Sequence, residues 1–218
     1  MIQRLVGLHT HVGAQGWRLL QLHLLWMLYT LRGGVLLGVF PATAAVHDAL
    51  RADLMSDDGA ERSGLRARFG QTWRRSFRRA NTLGYVYTAL WAVLFFEHRL
   101  LDGAGGSGLG SAAAGLLWFA MAHLFMVGAL VWMLDAHFAE SVPALLRRAS
   151  TLVLGRPLVG LGATAAFAAV LCLYYLVPGL IAVFGVTGPA LATSVFLWHS
   201  GVLPRTGPTL SEEKEVPA

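Results

Sequence analysis

From Pro157 to Pro204 the chain carries no Asp, Glu, Lys or Arg. A helix rises about 1.5 Å per residue, so roughly 20 apolar residues cross a hydrocarbon core about 30 Å thick. The run is too long for one crossing and fits two, which places a turn inside it. Pro178-Gly179 and Gly188-Pro189 both have the residues for a turn. The first divides the run into two lengths that can each cross, and the second leaves a short final helix. A turn at Pro178-Gly179, with Pro189 as a kink, is the expected arrangement.

Three further apolar runs precede this one. They account for a composition that is 56% hydrophobic and 13% charged, against about a quarter charged in soluble domains. The fold class that follows is all-α: a polytopic transmembrane helical bundle of about five spans. The expected spans are 19–40, 83–98, 112–134, 158–177 and 180–203, all within a membrane domain 1–204. Residues 205–218 read as a disordered cytoplasmic tail. Five spans do not divide into two equal inverted halves. The single cysteine, Cys172, excludes a disulfide within the chain.

The first run contains Ala42-Thr43-Ala44, a small-x-small sequence of the kind signal peptidases cleave. The apolar core of a cleaved signal is about 7–15 residues, whereas this run extends from Leu19 to Val46, so it reads as a retained span. Gly33, Gly34 and Gly38 let a neighbouring helix approach closely, and Pro41 predicts a kink or turn at the exit. Ahead of it, Ile2, Leu5, Val6 and Leu8 suggest a short interfacial helix. His9 and His11 supply only half a ligand set and are not read as a metal site.

The segment from His47 to Asn81 is acidic, then basic, with a turn expected at Met55-Ser56-Asp57-Asp58-Gly59. Leu65, Phe69, Trp73 and Phe77 recur every fourth residue and share one helical arc. Arg68, Arg74, Arg75, Arg78 and Arg79 lie opposite, with Arg66 the exception. This is a basic amphipathic helix feeding the second span. Its apolar arc is expected to lie on the membrane face or to dock a partner, and its arginines to meet anionic headgroups. Eight Arg in this segment and three in Asp135–Arg156 put both on the cytoplasmic side by the positive-inside rule. Five spans then place the amino terminus outside and the carboxy terminus in the cytoplasm, which leaves Arg4 and Arg18 outside. The net charge of +5 thus reads as membrane orientation rather than nucleic-acid affinity. Pro143 begins a short helix, with Ser141 as its expected cap.

Arg32 falls inside the first expected span, where a charge costs about 2.5–3.5 kcal/mol on insertion scales. It is a candidate functional residue, for an anion or sugar site or a subunit contact, against a structural pair with a polar group such as Gln21. His23 and His123 fall in different spans and are weighed as haem ligands or a proton relay against hydrogen-bonded bundle histidines. Asp135, His137 and Glu140 are weighed as a metal or proton site against an interfacial charge cluster, the cluster being the simpler reading. Trp17, Trp118, Trp132 and Trp198 sit near span ends, where aromatic anchors are expected. No Ser/His, Asp/Asp or H-E-x-x-H arrangement appears. Neither catalytic residues, a metal nor a cofactor is therefore expected.

Two elements carry a resemblance. Gly38-Val39-Phe40-Pro41-Ala42-Thr43-Ala44-Ala45 resembles the G-x-F-P-A-T-x-A element of the YesL-like family of bacterial membrane proteins. Trp73-Arg74-Arg75-Ser76-Phe77-Arg78-Arg79-Ala80-Asn81, followed by Leu83-Gly84, resembles that family's aromatic-basic element ahead of the second span. Ala136-His137-Phe138 and the stretch from Ala149 to Pro157 are weaker matches. Gly38, Phe40, Pro41, Ala42, Trp73, Phe77 and Asn81 are the residues the motif picks out. Arg32 and His137 depart from the family pattern, which has an apolar residue and an Arg there. The resemblance carries no catalytic residues. Family members are often encoded beside carbohydrate ABC importers and polysaccharide-degrading enzymes. It implies an inner-membrane accessory protein of carbohydrate uptake, with the bilayer and ABC permease subunits as partners. The rival reading is a small stand-alone transporter using Arg32 and other intramembrane polar groups.

Overall fold

A computed structural model describes residues 2–55, 64–102 and 108–204, with side chains from residue 13 onward except at 102, 108 and 109. The side chains of His9 and His11, the turn around Asp57, the Gly/Ser loop after Asp102 and the tail from Arg205 lie outside what is described. The described residues are all-helical: α1 (Ile2–Arg32), α2 (Val39–Met55), α3 (Leu65–Asp102), α4 (Gly108–His137), α5 (Val142–Gly155), α6 (Pro157–Leu176), α7 (Gly179–Phe184) and α8 (Thr187–His199).

Two of these are long and apolar enough to cross a membrane, α4 over Gly110–His137 and α6 over Pro157–Leu176, with mean hydropathies of 2.0 and 1.9. Only 22% and 17% of their most apolar windows is buried. Leu116, Phe119, Leu158 and Leu176 instead face outward, along with Val93 and Phe96 of α3. A soluble core helix would bury such residues.

The stretch 19–40 is not one helix. α1 ends at Arg32 and the chain reverses through Gly33–Gly38 into α2. Gly34 and Val35 take positive φ, 69° and 63°, and Val35 N–H donates to Thr30 O at 2.9 Å. A positive φ is natural for Gly and strained for a β-branched residue. The glycines expected to admit a neighbouring helix admit their own chain. A Cβ on Gly33 would lie 2.3 Å from Gly38 Cα, and one on Gly38 would lie 2.2 Å from Thr30 O. The turn precedes Pro41, which sits in the first turn of α2, where its missing N–H has no helical acceptor to lose.

α1 and α2 therefore run antiparallel. Trp26 Nε1 donates to Thr43 Oγ1 at 3.1 Å, and Arg18 grips Asp53 through both carboxylate oxygens at 3.0 and 2.8 Å. Arg18 and Asp53, which the five-span reading separates across the membrane, lie side by side.

α3 continues without a break from its basic half into the apolar one. Leu22, Ala45, Val46, Leu50, Phe69 and Ala190 form a core between α1, α2, α3 and α8. A second core joins Leu83 to α4, α5, α6 and α8. Ser141 takes the N-cap position of α5, but its hydroxyl makes no capping bond. α6 ends at Leu176, and the chain after Val177-Pro178 returns antiparallel to it. This return is split at Gly185 (φ 32°), so the helix break falls ahead of Pro189, which lies in the first turn of α8.

Two outcomes follow. Gly38→Ala must push Thr30 or the tip aside, and we expect a loss of about 1–3 kcal/mol, read as a lower thermal midpoint in detergent. In a Cys172→Ser background, Gln15→Cys and Met55→Cys will react with an impermeant maleimide from the same face of oriented vesicles. Labelling from opposite faces would restore a single crossing at 19–40.

Candidate functional site

A reversed hairpin exposes carbonyls at its tip, and the motif residues meet there. Asn81 Nδ2 donates to Leu37 O at 3.0 Å and to Phe77 O of its own helix at 2.9 Å. Tyr85 OH donates to Leu36 O at 3.0 Å. Phe40 lies edge-on to Tyr85, with centroids 5.1 Å apart, and stacks on Trp132 at 6.1 Å. Gly84 makes room for it, since a Cβ there would sit 2.2 Å from the Phe40 ring. Pro41 and Ala42 are buried in α2. Gly38, Phe40, Pro41, Ala42 and Asn81 thus form the joint that ties the hairpin to α3 and α4.

The expected docking arc of α3 faces inward. Phe69 is 2% exposed and packs on Tyr29 at 5.2 Å. Trp73 meets Tyr29 and Phe77 at 5.6 and 4.9 Å, and Leu65 packs against the same core. The hairpin covers much of this arc, burying Phe69 and leaving Leu65, Trp73 and Phe77 half-buried. Periodicity marks a face for burial without naming what buries it. The outer face keeps Arg74, Arg75 and Arg78 exposed. Arg79 turns aside to Asp135, 2.6 Å away, and donates to Phe138 O at 3.0 Å.

Asp135, His137 and Glu140 do not converge on one another. Asp135 takes Arg79; His137 Nδ1 bonds Met133 O at 2.9 Å; Glu140 pairs with Arg148, whose guanidinium also lies 4.3 Å from the Phe138 ring centroid. The hydrogen bond from Arg148 holds the Glu140 carboxyl below its ordinary value. Trp17 and Trp118 are exposed, whereas Trp132 is stacked on Phe40 and Trp198 lies against His137, 6.3 Å between centroids. Arg32 is exposed at the end of α1, where a cation suits the helix dipole, and is not inside the bundle. His123 bonds Ser150 Oγ at 2.7 Å across α4 and α5.

His23 is placed elsewhere, on a cavity of about 790 Å³ between α1, α2, α3, α4, α6, α7 and α8. His47, Thr43, Trp26, Tyr87 and Tyr174 share its lining. The structure does not bring His23 to His123. It brings His23 near Trp26, with rings stacked at 6.0 Å, and sets His47 one turn beyond Thr43 on α2. His47 was legible only as the end of an apolar run, because its role depends on the hairpin.

Residues 19–98 match the family model described as "Protein of unknown function, DUF624", a segment running from α1 through the joint into the apolar half of α3. The chain is also similar to the uncharacterised protein YesV of Bacillus subtilis (strain 168). The two are 30% identical over 169 residues, covering 74% of this chain and 76% of the relative. No solved structure matches it.

Three outcomes test the geometry. Trp73→Ala with Phe77→Ala will lower the thermal midpoint, because these half-buried rings pack on Tyr29 and on each other; an unchanged midpoint would return them to the surface. Arg79→Gln strands Asp135, which is 8% exposed, and should cost about 2 kcal/mol, with Arg79→Gln/Asp135→Asn costing less. The Glu140–Arg148 pair stabilises above the ordinary carboxylate range and is lost as pH falls through the depressed value of Glu140. Glu140→Gln will therefore lower the midpoint at neutral pH and leave it unchanged in acid.

Proposed function

The chain belongs to the YesL-like DUF624 family, and on that premise we propose that it is a multi-pass protein of the bacterial inner membrane serving as an accessory subunit beside an ABC-type carbohydrate importer. The observation that carries this reading is the two-part surface of α3. Its 38 residues make a helix of about 57 Å, well beyond a hydrocarbon core of about 30 Å. The half from Leu83 is apolar and outward-facing, so the half bearing Arg66, Arg74, Arg75 and Arg78 projects out of the bilayer. By the positive-inside rule that half is cytoplasmic.

In this reading the crossings lie on α3 beyond Leu83, on α4, on α6 and on the α7–α8 return. The α1–α2 hairpin enters and leaves on one face. With much of its aromatic arc covered by the hairpin, the basic half of α3 offers a partner chiefly its guanidinium groups. These suit anionic headgroups, each contact worth roughly 1 kcal/mol, or an acidic cytoplasmic face of a permease subunit. The carbohydrate link rests on what the family resemblance implies. No catalytic role is assigned. A stand-alone transporter built on Arg32 has less support, because Arg32 stands outside the bundle at a helix end.

The test is recovery of tagged protein from membranes of cells grown on a polysaccharide. Carbohydrate permease subunits, identified by mass spectrometry, are expected with the wild type. Arg74→Gln/Arg75→Gln/Arg78→Gln should reduce their recovery several-fold while the fold is retained. Recovery without any permease subunit, together with sugar flux in vesicles holding this chain alone, would replace the accessory reading by the transporter.

A further inference from the structure

The cavity between the helices is of a size that holds small ligands, typically about 300–1,000 Å³. Its wall is mostly apolar, with Phe125, Trp132, Phe167, Leu171 and Ile181 among its residues, and no Asp, Glu, Lys or Arg lines it. An ion placed there would lose its hydration without a countercharge. The chemistry of the wall therefore calls for a neutral ligand with an apolar body.

The polar groups narrow this further, because most are already satisfied. Tyr87 OH donates to Leu124 O and Tyr174 OH to Gly185 O, each at 3.0 Å. Thr193 donates back into its own helix. Trp26 donates to Thr43, and Thr43 to Val39 O. Two imidazoles and the Trp132 indole N–H remain. His23 is 6% exposed, and its Nδ1 is buried with no hydrogen-bond partner. The rest of that ring is pinned against Gly185, where a Cβ would fall 2.0 Å from Cε1, and against Trp26. His47 is 7% exposed. Its Nδ1 lies 3.0 Å from Thr43 O, and since a carbonyl only accepts, Nδ1 carries the proton. In the neutral ring Nε2 is then left as an acceptor. The Trp26–Thr43 bond joins the two histidines into one wall.

We propose that this cavity binds a neutral amphiphile drawn from the bilayer, with an aliphatic or isoprenoid body and a single hydroxyl group that donates to His47 Nε2. His23, stacked on Trp26, completes the wall beside it. The exposed apolar sides of α4 and α6, which also wall the cavity, lie next to the hydrocarbon from which such a molecule would enter. This inference concerns the isolated chain and stands or falls separately from the accessory role.

The test uses the full chain in phosphatidylcholine vesicles with three diazirine probes, hexadecanol, hexadecanoic acid and hexadecane. After irradiation the labelled residues are read by mass spectrometry. Hexadecanol is expected to label the half-buried cavity residues Trp132 and Phe167 about tenfold more than either comparator, the factor one net hydrogen bond supplies. Unlabelled hexadecanol should compete. His23→Phe/His47→Phe keeps two aromatic rings in place, and should reduce alcohol labelling to the level of the hydrocarbon. Ala129→Trp, which fills the cavity, should abolish labelling there. Labelling confined to outward residues such as Leu116 and Leu158, equal labelling by alcohol and acid, or an alcohol preference that survives loss of both imidazoles would overturn the proposal. Should the variants fail to fold, the three-probe comparison on the wild type decides alone.

Discussion

The carboxamide of Asn81 holds the tip of the α1–α2 hairpin. A chain that reverses among apolar residues has carbonyls with no helical partner, and a backbone group left unpaired away from water costs free energy. Leu36 O and Leu37 O are two such groups, and Tyr85 and Asn81 of α3 meet both. With the tip fixed to α3, Phe40 is directed onto Gly84 and Trp132, which draws α2 against α4. α2 then forms one wall of the central cavity, with Thr43 and His47 on it. The elements that carry the family resemblance are therefore joined in space, and their role at this level is architectural.

The same hairpin explains why α3 differs from an isolated amphipathic helix. Viewed alone, Leu65, Phe69, Trp73 and Phe77 are a stripe that could lie on lipid. Tyr29 and the α1–α2 core occupy the stripe first, and Thr72 Oγ1 donates to Asp48 of α2 at 2.9 Å. What remains most exposed on this half is largely charge, Arg66, Arg74, Arg75 and Arg78 among it. Arg79 is withdrawn from that surface by Asp135, so the ends of α3's basic half and of α4 are tied by an ion pair as well as by packing.

Much of the helical content was legible in the sequence. α4 and α6 are continuous apolar helices where the runs without charge lie, and α5 begins at Val142 beside Pro143. The hairpin was not legible, because Gly33, Gly34 and Gly38 have the same spacing whether they admit a neighbouring helix or turn their own chain. Only the contact between Thr30 and Gly38 distinguishes the two. Arg32 looked costly because a single crossing would have buried it; once α1 ends there, the guanidinium sits at the carbonyl end of a helix and no interior partner is required. The cavity was least legible. Its polar wall combines His23 with His47, and nothing local in either segment says that they share a surface.

That cavity also has a cause in the backbone. A return helix running unbroken from Gly179 to His199 would lay a regular face against α6. The break at Gly185 instead separates α7 from α8, and Tyr174 OH ties the freed Gly185 carbonyl back to α6. Thr187 Oγ1, at the start of α8, donates to the other freed carbonyl, Phe184 O, at 2.6 Å. Glycine is required at the bend twice over, by its φ of 32° and because the His23 ring occupies the place of a side chain. A larger residue would displace His23 and close the wall. The space in the bundle thus follows from one glycine in a broken helix, facing an imidazole that the α1–α2 hairpin holds in place.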